Sequence, residues 1–388
     1  MDALWFYAIL FVGIWVISLL FHKKLKIEIQ GPILRRKTTR MKGFIDNVAQ
    51  KYSRFWRVFM TIGIPVAVFF MGLMLYSFIL ILGTLLEPAQ AASQVGVLLP
   101  GVDVPGSAFY VPLGYGIIAL MTVIVIHEFG HGILARVEGV SIKSIGLMLF
   151  AILPAAFVEP DEEEIKKSKR ISKLRIYAAG SIFNLSLAAI ALLIFILSGA
   201  AIGSSFHTEG VQISSVVPAS PASGILKEGM VIEGINGVNI QNSTDYQKIL
   251  NKTKPGDELT LKTDQGTYVV KTGTSPNNAT KFYIGIRTQN YMVANNDVSS
   301  IFGNILPTAL FYLNQIFYWI FTLNFLVGTF NLLPMKPLDG GLMFEELLRY
   351  KISKKKVKPI VSTMSWVIIV TLAFLMVLVY GRGLLLLL

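Results

Sequence analysis

Six apolar segments, each long enough to cross a bilayer as a helix, constrain the fold of this chain more than any other feature. One crossing needs roughly 20 mostly apolar residues. The segments lie at about Leu4–Phe21, Val58–Leu86, Val111–Ala135, Ile176–Ile202, Ile305–Leu333 and Val361–Tyr380. With 53% hydrophobic and 15% charged side chains, the chain is too apolar for an ordinary soluble domain. We therefore predict a polytopic α-helical membrane protein with about six transmembrane helices. The first segment has no basic residue before its apolar core, so we expect a retained helix and not a signal peptide.

Positive charge is concentrated in three of the segments between these apolar runs. Of the 35 Lys and Arg residues, 11 lie in Phe21–Arg57, 8 in Arg136–Arg175 and 7 in Met335–Val361. By contrast, Glu87–Tyr110 has none, and Ala201–Phe302 balances 8 basic with 8 acidic residues. Because cytoplasmic loops are enriched in Lys and Arg, we predict that the three basic segments face the cytoplasm and that the other two lie outside, as does the N-terminus. We therefore attribute the net charge of +12 to segments that face anionic lipid, and not to a surface that binds nucleic acid.

Three shorter stretches between the spans carry their own structural signals. Lys42–Met60 has the pattern of an amphipathic basic helix that anchors along the cytoplasmic face. Gly139–Pro160 is apolar and rich in β-branched residues, which predicts strands or a re-entrant loop beside a cavity. Pro160–Arg170 is acidic and then basic, which is typical of a solvated helix that starts with Asp161 as its cap.

The insert His207–Thr288 is polar and consists of short strand-like runs, which predicts a separate small α+β module. Asn236-Gly237 is a strong hairpin signal, and Asp264-Gln265-Gly266 predicts a second turn. Ser243–Leu250 has the pattern of a capped amphipathic helix. The stretch Ser215–Ile240 resembles a PDZ domain of the kind attached to bacterial-type proteases. That resemblance implies that the module binds extended peptide segments or peptide termini, although a small β module without a ligand is the alternative.

The sequence HEFGH places two imidazoles and a carboxylate inside the third apolar run. His127 and His131 are four residues apart and share one face of a helix, and Glu128 is adjacent. Two neutral imidazoles can bind zinc, and the carboxylate can move a proton between water and a leaving amine. Ionisable groups at membrane depth are costly and mark functional sites by default. The alternative is buried structural polarity without a metal.

A catalytic zinc site usually has three protein ligands, so a third must come from elsewhere. The chain has no cysteine and only four histidines, and His22 and His207 fall in or beside polar segments. We therefore expect a carboxylate, and Asp339 in NLLPMKPLDGG follows an apolar run that returns to the cytoplasmic side. Pro334 and Pro337 break the helix there, and Gly340-Gly341 lets the backbone turn the carboxylate inward. The alternative is an Asp that only caps the next helix.

These motifs and the insert between them resemble the site-2 protease family of intramembrane zinc metalloproteases. The resemblance covers about Val111–Leu347 and is most specific in HEFGH, in NLLPMKPLDGG and in the order of the modules. It implies a Zn²⁺ ion held by His127, His131 and Asp339, with Glu128 as the general base. It also implies that the substrates are transmembrane segments of other membrane proteins.

AAGSIFNLSLA resembles the small-residue motif of the same family on the fourth span. Its Asn184 could bind the substrate backbone or the developing oxyanion, or it could join two helices. Asn324 and Glu159 are weaker candidates: we expect a packing hydrogen bond from the first and a cavity position for the second. Because a substrate helix must unwind before cleavage, we expect the strand-like residues Ser141–Leu149 to receive it by edge pairing.

The predicted organisation has four parts. Residues 1–110 hold two spans, the basic loop and the external loop, and 111–206 form the catalytic membrane core. Residues 207–288 form the extracytoplasmic module, and 289–388 carry the Asp339 motif. A metal-ion transporter or a silent membrane scaffold is the alternative, but a transporter has no need of Glu128 beside a ligand, and a scaffold needs no ligand set.

Overall fold

The computed structural model describes residues 3–38, 41–84, 100–102, 110–150, 153–218, 220–275, 278–294 and 305–385. Most of the predicted external loop Glu87–Tyr110 lies outside these ranges. The chain forms two compact units, which are residues 1–195 with 315–388 and residues 196–314.

The described residues contain ten helices, of which six are long and apolar enough to cross a membrane. The helices are α1 (Ala3–Leu25), α2 (Lys42–Lys51), α3 (Ser53–Thr84), α4 (Leu113–Val137), α5 (Glu162–Lys167), α6 (Arg170–Ser205), α7 (Ser243–Leu250), α8 (Ile305–Phe330), α9 (Asp339–Leu348) and α10 (Lys354–Leu385). The six long apolar helices are α1, α3, α4, α6, α8 and α10. The prediction of a polytopic helical membrane protein with six spans is confirmed.

Small residues set the close approach of α4, which carries HEFGH, to α6. A Cβ atom added at Gly130 would lie 2.9 Å from the carbonyl oxygen of Ala179 and 2.9 Å from the Phe183 ring. Small residues at such crossings let helix backbones approach closely inside a bilayer. Helices α4 and α6 therefore pack closely against each other at the level of HEFGH.

The basic helix after the first span is shorter than predicted. It ends at Lys51, and the residues from Ser53 onward belong to α3 because the sequence FWRVFM is apolar enough to continue the span. The short helix α2 packs on α4: Ile45 is fully buried, and the Phe44 and Phe129 rings meet edge to face at 5.9 Å. It therefore supports the motif helix, in addition to any contact with lipid.

A four-stranded antiparallel sheet lies next to the motif helix. Its strands are β1 (Ile27–Gln30), β2 (Ile33–Thr38), β3 (Ile142–Phe150) and β4 (Leu153–Pro160), in that order across the sheet. The prediction of strands in Gly139–Pro160 is thus confirmed. The hairpin β1–β2 was not predicted, because its charged residues suggested only a basic loop. Its signals were the alternation in IEIQ and ILRRKT and the Gly31-Pro32 turn, where Gly31 has φ +57.

The expected role of Ser141–Leu149 as a free edge is wrong. These residues form most of β3, which pairs on one side with β2 and on the other with β4. Both edges of β3 are therefore occupied along Ile145–Leu149. The outer strand of the sheet on this side is β4.

The acidic run after β4 forms the predicted capped helix. The Asp161 carboxylate accepts hydrogen bonds from the backbone N–H groups of Glu163 at 2.8 Å and Glu164 at 3.2 Å. The bond from Glu164 and the Lys143 ammonium 3.2 Å away hold the pKa of Asp161 below its ordinary value. The Asp161 carboxylate therefore caps α5, as predicted.

The unit of residues 196–314 contains a small α+β fold. Its main sheet runs β12–β5–β6–β8–β9, with β7 paired to β6, and β10 pairs with β11. The strands are β5 (Phe206–Val216), β6 (Val231–Ile235), β7 (Val238–Asn239), β8 (Glu258–Thr263), β9 (Gly266–Lys271), β10 (Gly273–Ser275), β11 (Asn278–Tyr283) and β12 (Ile286–Ala294). Asn236 and Gly237 both have positive φ at the predicted hairpin. Helix α7 coincides with the predicted Ser243–Leu250 and is capped by the Asn242 side chain.

Candidate metal centre

Two imidazoles and one carboxylate meet at a single point between α4 and the start of α9. The Nε2 atoms of His127 and His131 are 3.2 Å apart. The Oδ2 atom of Asp339 lies 3.3 Å from Nε2 of His127 and 3.1 Å from Nε2 of His131. Asp339 is 208 positions from His131 in sequence, yet the three residues form the group among the described residues that could hold a metal ion.

The spacing of these three atoms fits a tetrahedral metal site. Zinc binds imidazole nitrogen and carboxylate oxygen at about 2.0–2.1 Å, so neighbouring ligand atoms of a tetrahedron lie about 3.3 Å apart. The observed separations are 3.1, 3.2 and 3.3 Å. Three protein donors leave one position of the tetrahedron for water or substrate, which is the arrangement of catalytic and not of structural zinc sites.

The backbone of α6 fixes the orientation of His131. Its Nδ1 atom lies 2.8 Å from the carbonyl oxygen of Ile176, which can only accept a hydrogen bond. The proton of this imidazole is therefore on Nδ1, and the lone pair on Nε2 is directed to the shared point. Such an outer hydrogen bond is the usual partner of a metal-binding histidine.

Asn184 of α6 is the corresponding side-chain partner of His127. Its amide nitrogen lies 3.3 Å from Nδ1 of His127, the side chain is fully buried, and its Oδ1 atom has no hydrogen-bond partner among the described residues. A half-turn of the amide puts Oδ1 on the Nδ1–H group, which leaves Nε2 of His127 free to bind a metal. The structure thus places Asn184 against an imidazole; its role toward the substrate stays a prediction.

Gly180 provides the space in which the two imidazoles meet. A Cβ atom at this position would lie 2.5 Å from Cε1 of His127, 2.5 Å from Nε2 of His131 and 2.6 Å from Nε2 of His127. No side chain can occupy that volume unless both rings move. Gly180 and Asn184 are one helical turn apart, so one face of α6 forms the back wall of the site.

A tight loop holds Asp339 at the shared point. A Cβ atom at Gly340 would overlap the backbone of Leu332, and one at Gly341 would overlap the backbone of Met335, so the loop lies directly on the first turn of α9. The Gly340 N–H also donates to the carbonyl oxygen of Asn331 at 2.8 Å. Within the part of the chain that the structure describes, Asp339 makes no capping hydrogen bond in α9, whose N-cap residue is Leu338. The predicted alternative, a helix cap, is therefore wrong.

Comparison with known proteins shows the family of this chain. Residues 115–372 match the family described as Peptidase family M50. The chain belongs to peptidase family M50. The resemblance to the site-2 protease family that the motifs indicated is confirmed.

Relatives of this M50 chain occur in archaea, plants and bacteria. It is 30% identical to an uncharacterised protein of Methanocaldococcus jannaschii, over 87% of this chain and 84% of that protein. It is 25% identical to a membrane-bound transcription factor site-2 protease homologue of Arabidopsis thaliana, over 35% of this chain and 27% of that protein. It is 26% identical to a protein of Clostridium perfringens named as a candidate zinc metalloprotease, over 68% of this chain and 96% of that protein. A PDZ domain from Listeria innocua is 25% identical over 21% of this chain and 96% of that domain, with a TM-score of 0.19.

Glu128, the carboxylate next to the first imidazole in this M50 chain, contacts the sheet. Its Oε2 atom accepts a hydrogen bond of 2.8 Å from the backbone N–H of Val158 in β4. It lines a cavity of about 880 Å³ bounded by α4, by the strands β2, β3 and β4 and by the end of α1. The sequence contains no local signal for this contact, because it depends on where β4 packs.

The remaining candidates in the M50 chain lie apart from the shared point. Asn324 is fully buried and donates to Thr122 of α4 at 2.9 Å, which makes it the expected packing hydrogen bond. Glu159 accepts from Ser144 at 2.6 Å and lines a cavity of about 650 Å³ together with His131 and Asp339. His22 is half-buried at the end of α1, and His207 is exposed beside Glu209. Neither histidine belongs to the group.

Substitution of Gly180 by alanine tests whether the imidazole pair needs this space. We expect Gly180→Ala to displace both rings and to lower the bound divalent metal per chain by at least about tenfold, the loss typical when ligand orientation fails. Metal analysis of the purified protein measures this. Gly203→Ala on the same helix is the control, since a Cβ atom there meets nothing within 4 Å. Equal metal content in the two variants would contradict the assignment.

Asn184→Ala tests the support of His127. Without the amide, Nδ1 of His127 has no fixed partner, and we expect metal affinity to fall about 10- to 100-fold. Competition with a chelator of known affinity measures the change. A variant that keeps full affinity but loses turnover would instead support the predicted role of Asn184 at the substrate.

Proposed function

We propose that this chain is a zinc metalloendopeptidase that hydrolyses peptide bonds within transmembrane segments of other membrane proteins. The observation that carries the proposal is the meeting of His127 and His131, on a helix apolar enough to cross a membrane, with Asp339 at the start of α9 and with Glu128 adjacent. Two imidazoles with one carboxylate suit zinc among the common divalent ions.

The division of roles follows from the donor set. His127, His131 and Asp339 would hold the ion, which when bound polarises the scissile carbonyl and makes water more acidic. Glu128 takes a proton from the attacking water and delivers it to the nitrogen of the leaving amine, so that the peptide bond is replaced by a carboxylate and an amine. Ile176 and Asn184 keep the two imidazoles in the required orientation.

Hydrolysis inside apolar helices needs a supply of water, and the second cavity provides a path for it. His131 and Asp339 line this cavity of about 650 Å³. Its other walls carry charged side chains, which are Arg35, Glu159, Glu162, Lys166, Lys173, Lys336, Glu345, Glu346 and Arg349. A cavity lined by charged side chains favours water over hydrocarbon, because transfer of charged groups to an apolar environment is costly even when they form ion pairs. We infer that this side opens to the cytoplasm, in keeping with the basic segments near it.

Strand β4 is the part of the sheet that can receive an unwound substrate. It is the outermost strand next to α4, and together with β2 and β3 it borders the cavity of about 880 Å³ that Val125 and Glu128 of α4 also line. An extended segment paired with this edge presents its backbone to Glu128, whereas an intact helix keeps its peptide bonds hydrogen-bonded within itself. We therefore propose that the substrate pairs with the edge of β4, and not with β3 as the sequence predicted.

We also propose that the unit of residues 196–314 is a regulatory module. We infer that it lies on the extracytoplasmic side, because its segment lacks the basic excess of the cytoplasmic loops. A PDZ-like module there would bind extended peptide segments or termini and select substrates that another protease has already shortened. The lipid bilayer and single-span membrane proteins are the expected partners.

Glu128→Gln separates proton transfer from metal binding. The amide keeps the size of the side chain but cannot accept a proton, so we expect retained zinc and a loss of cleavage of at least about 100-fold. Cleavage of a single-span peptide in lipid nanodiscs, measured beside zinc content, gives both values. His127→Ala should lose zinc and cleavage together. Full cleavage by Glu128→Gln would remove the carboxylate from the mechanism, and cleavage by His127→Ala would remove the metal.

A further inference from the structure

Glu128 is held in place by a backbone group of the strand that borders the substrate cavity. Its Oε2 atom accepts from the Val158 N–H at 2.8 Å. Val158 is in register with Ile145 of β3, but its N–H bonds to Glu128 and therefore points away from β3. The carboxylate of the proposed general base is thus bound to the outer edge of the sheet.

The outer edge of β4 offers few hydrogen-bond donors. In an antiparallel strand every second residue directs its N–H to the same edge, so Ala156 and Pro154 share the edge of Val158. Proline has no N–H, and it is tolerated at such edge positions for that reason. Along 154–158 the edge therefore has two donors, those of Ala156 and Val158, and Glu128 already occupies the second.

The same segment of β4 separates the two cavities. Phe157 and Val158 line both of them. Glu128 lines the larger cavity, whereas His131 and Asp339 line the other. In this state the proposed base is therefore turned toward the substrate cavity and held there by Val158.

We propose that the Val158 N–H is a positioning group that holds Glu128 until a substrate strand pairs with β4. A carbonyl oxygen of the paired substrate takes over the Val158 N–H, and the released Glu128 carboxylate turns to the attacking water. The inference rests on the proposed function and deepens it, because it makes pairing of the substrate a condition for proton transfer. A peptide too short to pair with the edge leaves Glu128 bound to Val158 and is cleaved slowly.

Val158→Pro tests the switch, because it removes the N–H and leaves Glu128 intact. Pro154 shows that this edge accommodates proline. We expect Val158→Pro holoprotein to hydrolyse a fluorogenic apolar tetrapeptide about tenfold faster than wild type, the change expected on loss of one hydrogen bond to a carboxylate. Ala156→Pro removes the other edge donor and should give no such gain. Both variants should slow cleavage of a single-span peptide in nanodiscs.

The outcomes distinguish the inference from the proposed function. If wild type cleaves the single-span peptide in a Glu128-dependent manner but the tetrapeptide rates of both proline variants equal that of wild type, the switch is wrong and the protease remains. If wild type cleaves neither probe, the proposed function falls and the inference with it.

Hydrogen–deuterium exchange gives a second test that needs no proline variant. The Val158 amide should exchange faster in Glu128→Ala than in Glu128→Gln, which retains an acceptor oxygen. Addition of the single-span peptide to Glu128→Ala should slow that exchange again, because the substrate carbonyl replaces the carboxylate. Exchange at Val158 that is the same with and without the peptide would overturn the proposal.

Discussion

The convergence of two imidazoles and one carboxylate on a single point is the constraint on which the rest of the membrane unit depends. His127, His131 and Asp339 come within 3.1–3.3 Å of one another inside a bundle of apolar helices. Polar groups so placed are costly unless they bind something or are hydrogen-bonded. The surroundings meet this condition at each residue, through the Ile176 carbonyl, the Asn184 amide and the tight loop before α9. Gly180 leaves the volume in which the rings meet.

Much of this site follows from local sequence. The spacing of His127 and His131 on an apolar helix indicates two ligands on one face, and the glycines after Asp339 indicate a carboxylate turned inward by an irregular loop. The six spans follow from segment length and hydrophobicity, and the Asn236-Gly237 hairpin follows from its turn residues. Each of these signals arises within a short stretch of sequence, because helices, turns and helix caps are determined mainly by neighbouring residues.

The parts that sequence could not supply depend on pairing between distant segments. The hairpin β1–β2 joins β3 across more than 100 residues, so a pattern read along the chain could not show that β3 is an inner strand. For the same reason the contact between Glu128 and Val158 has no local signature. Helix α2 was predicted to lie along the membrane face, and that sequence pattern could not show that its Ile45 is buried against α4. Hydrophobicity identifies a buried face without identifying its partner.

The most direct test of the account is zinc X-ray absorption on the protein reconstituted in lipid, compared with Asp339→Cys. The chain has no cysteine, so any sulfur seen at the ion must come from position 339. The account predicts imidazole and oxygen neighbours at about 2.0–2.1 Å in the wild type, and a new sulfur neighbour at about 2.3 Å in the variant. Zinc that stays bound to imidazole in Asp339→Cys without a sulfur neighbour would show that position 339 does not reach the ion, which would contradict the three-residue site.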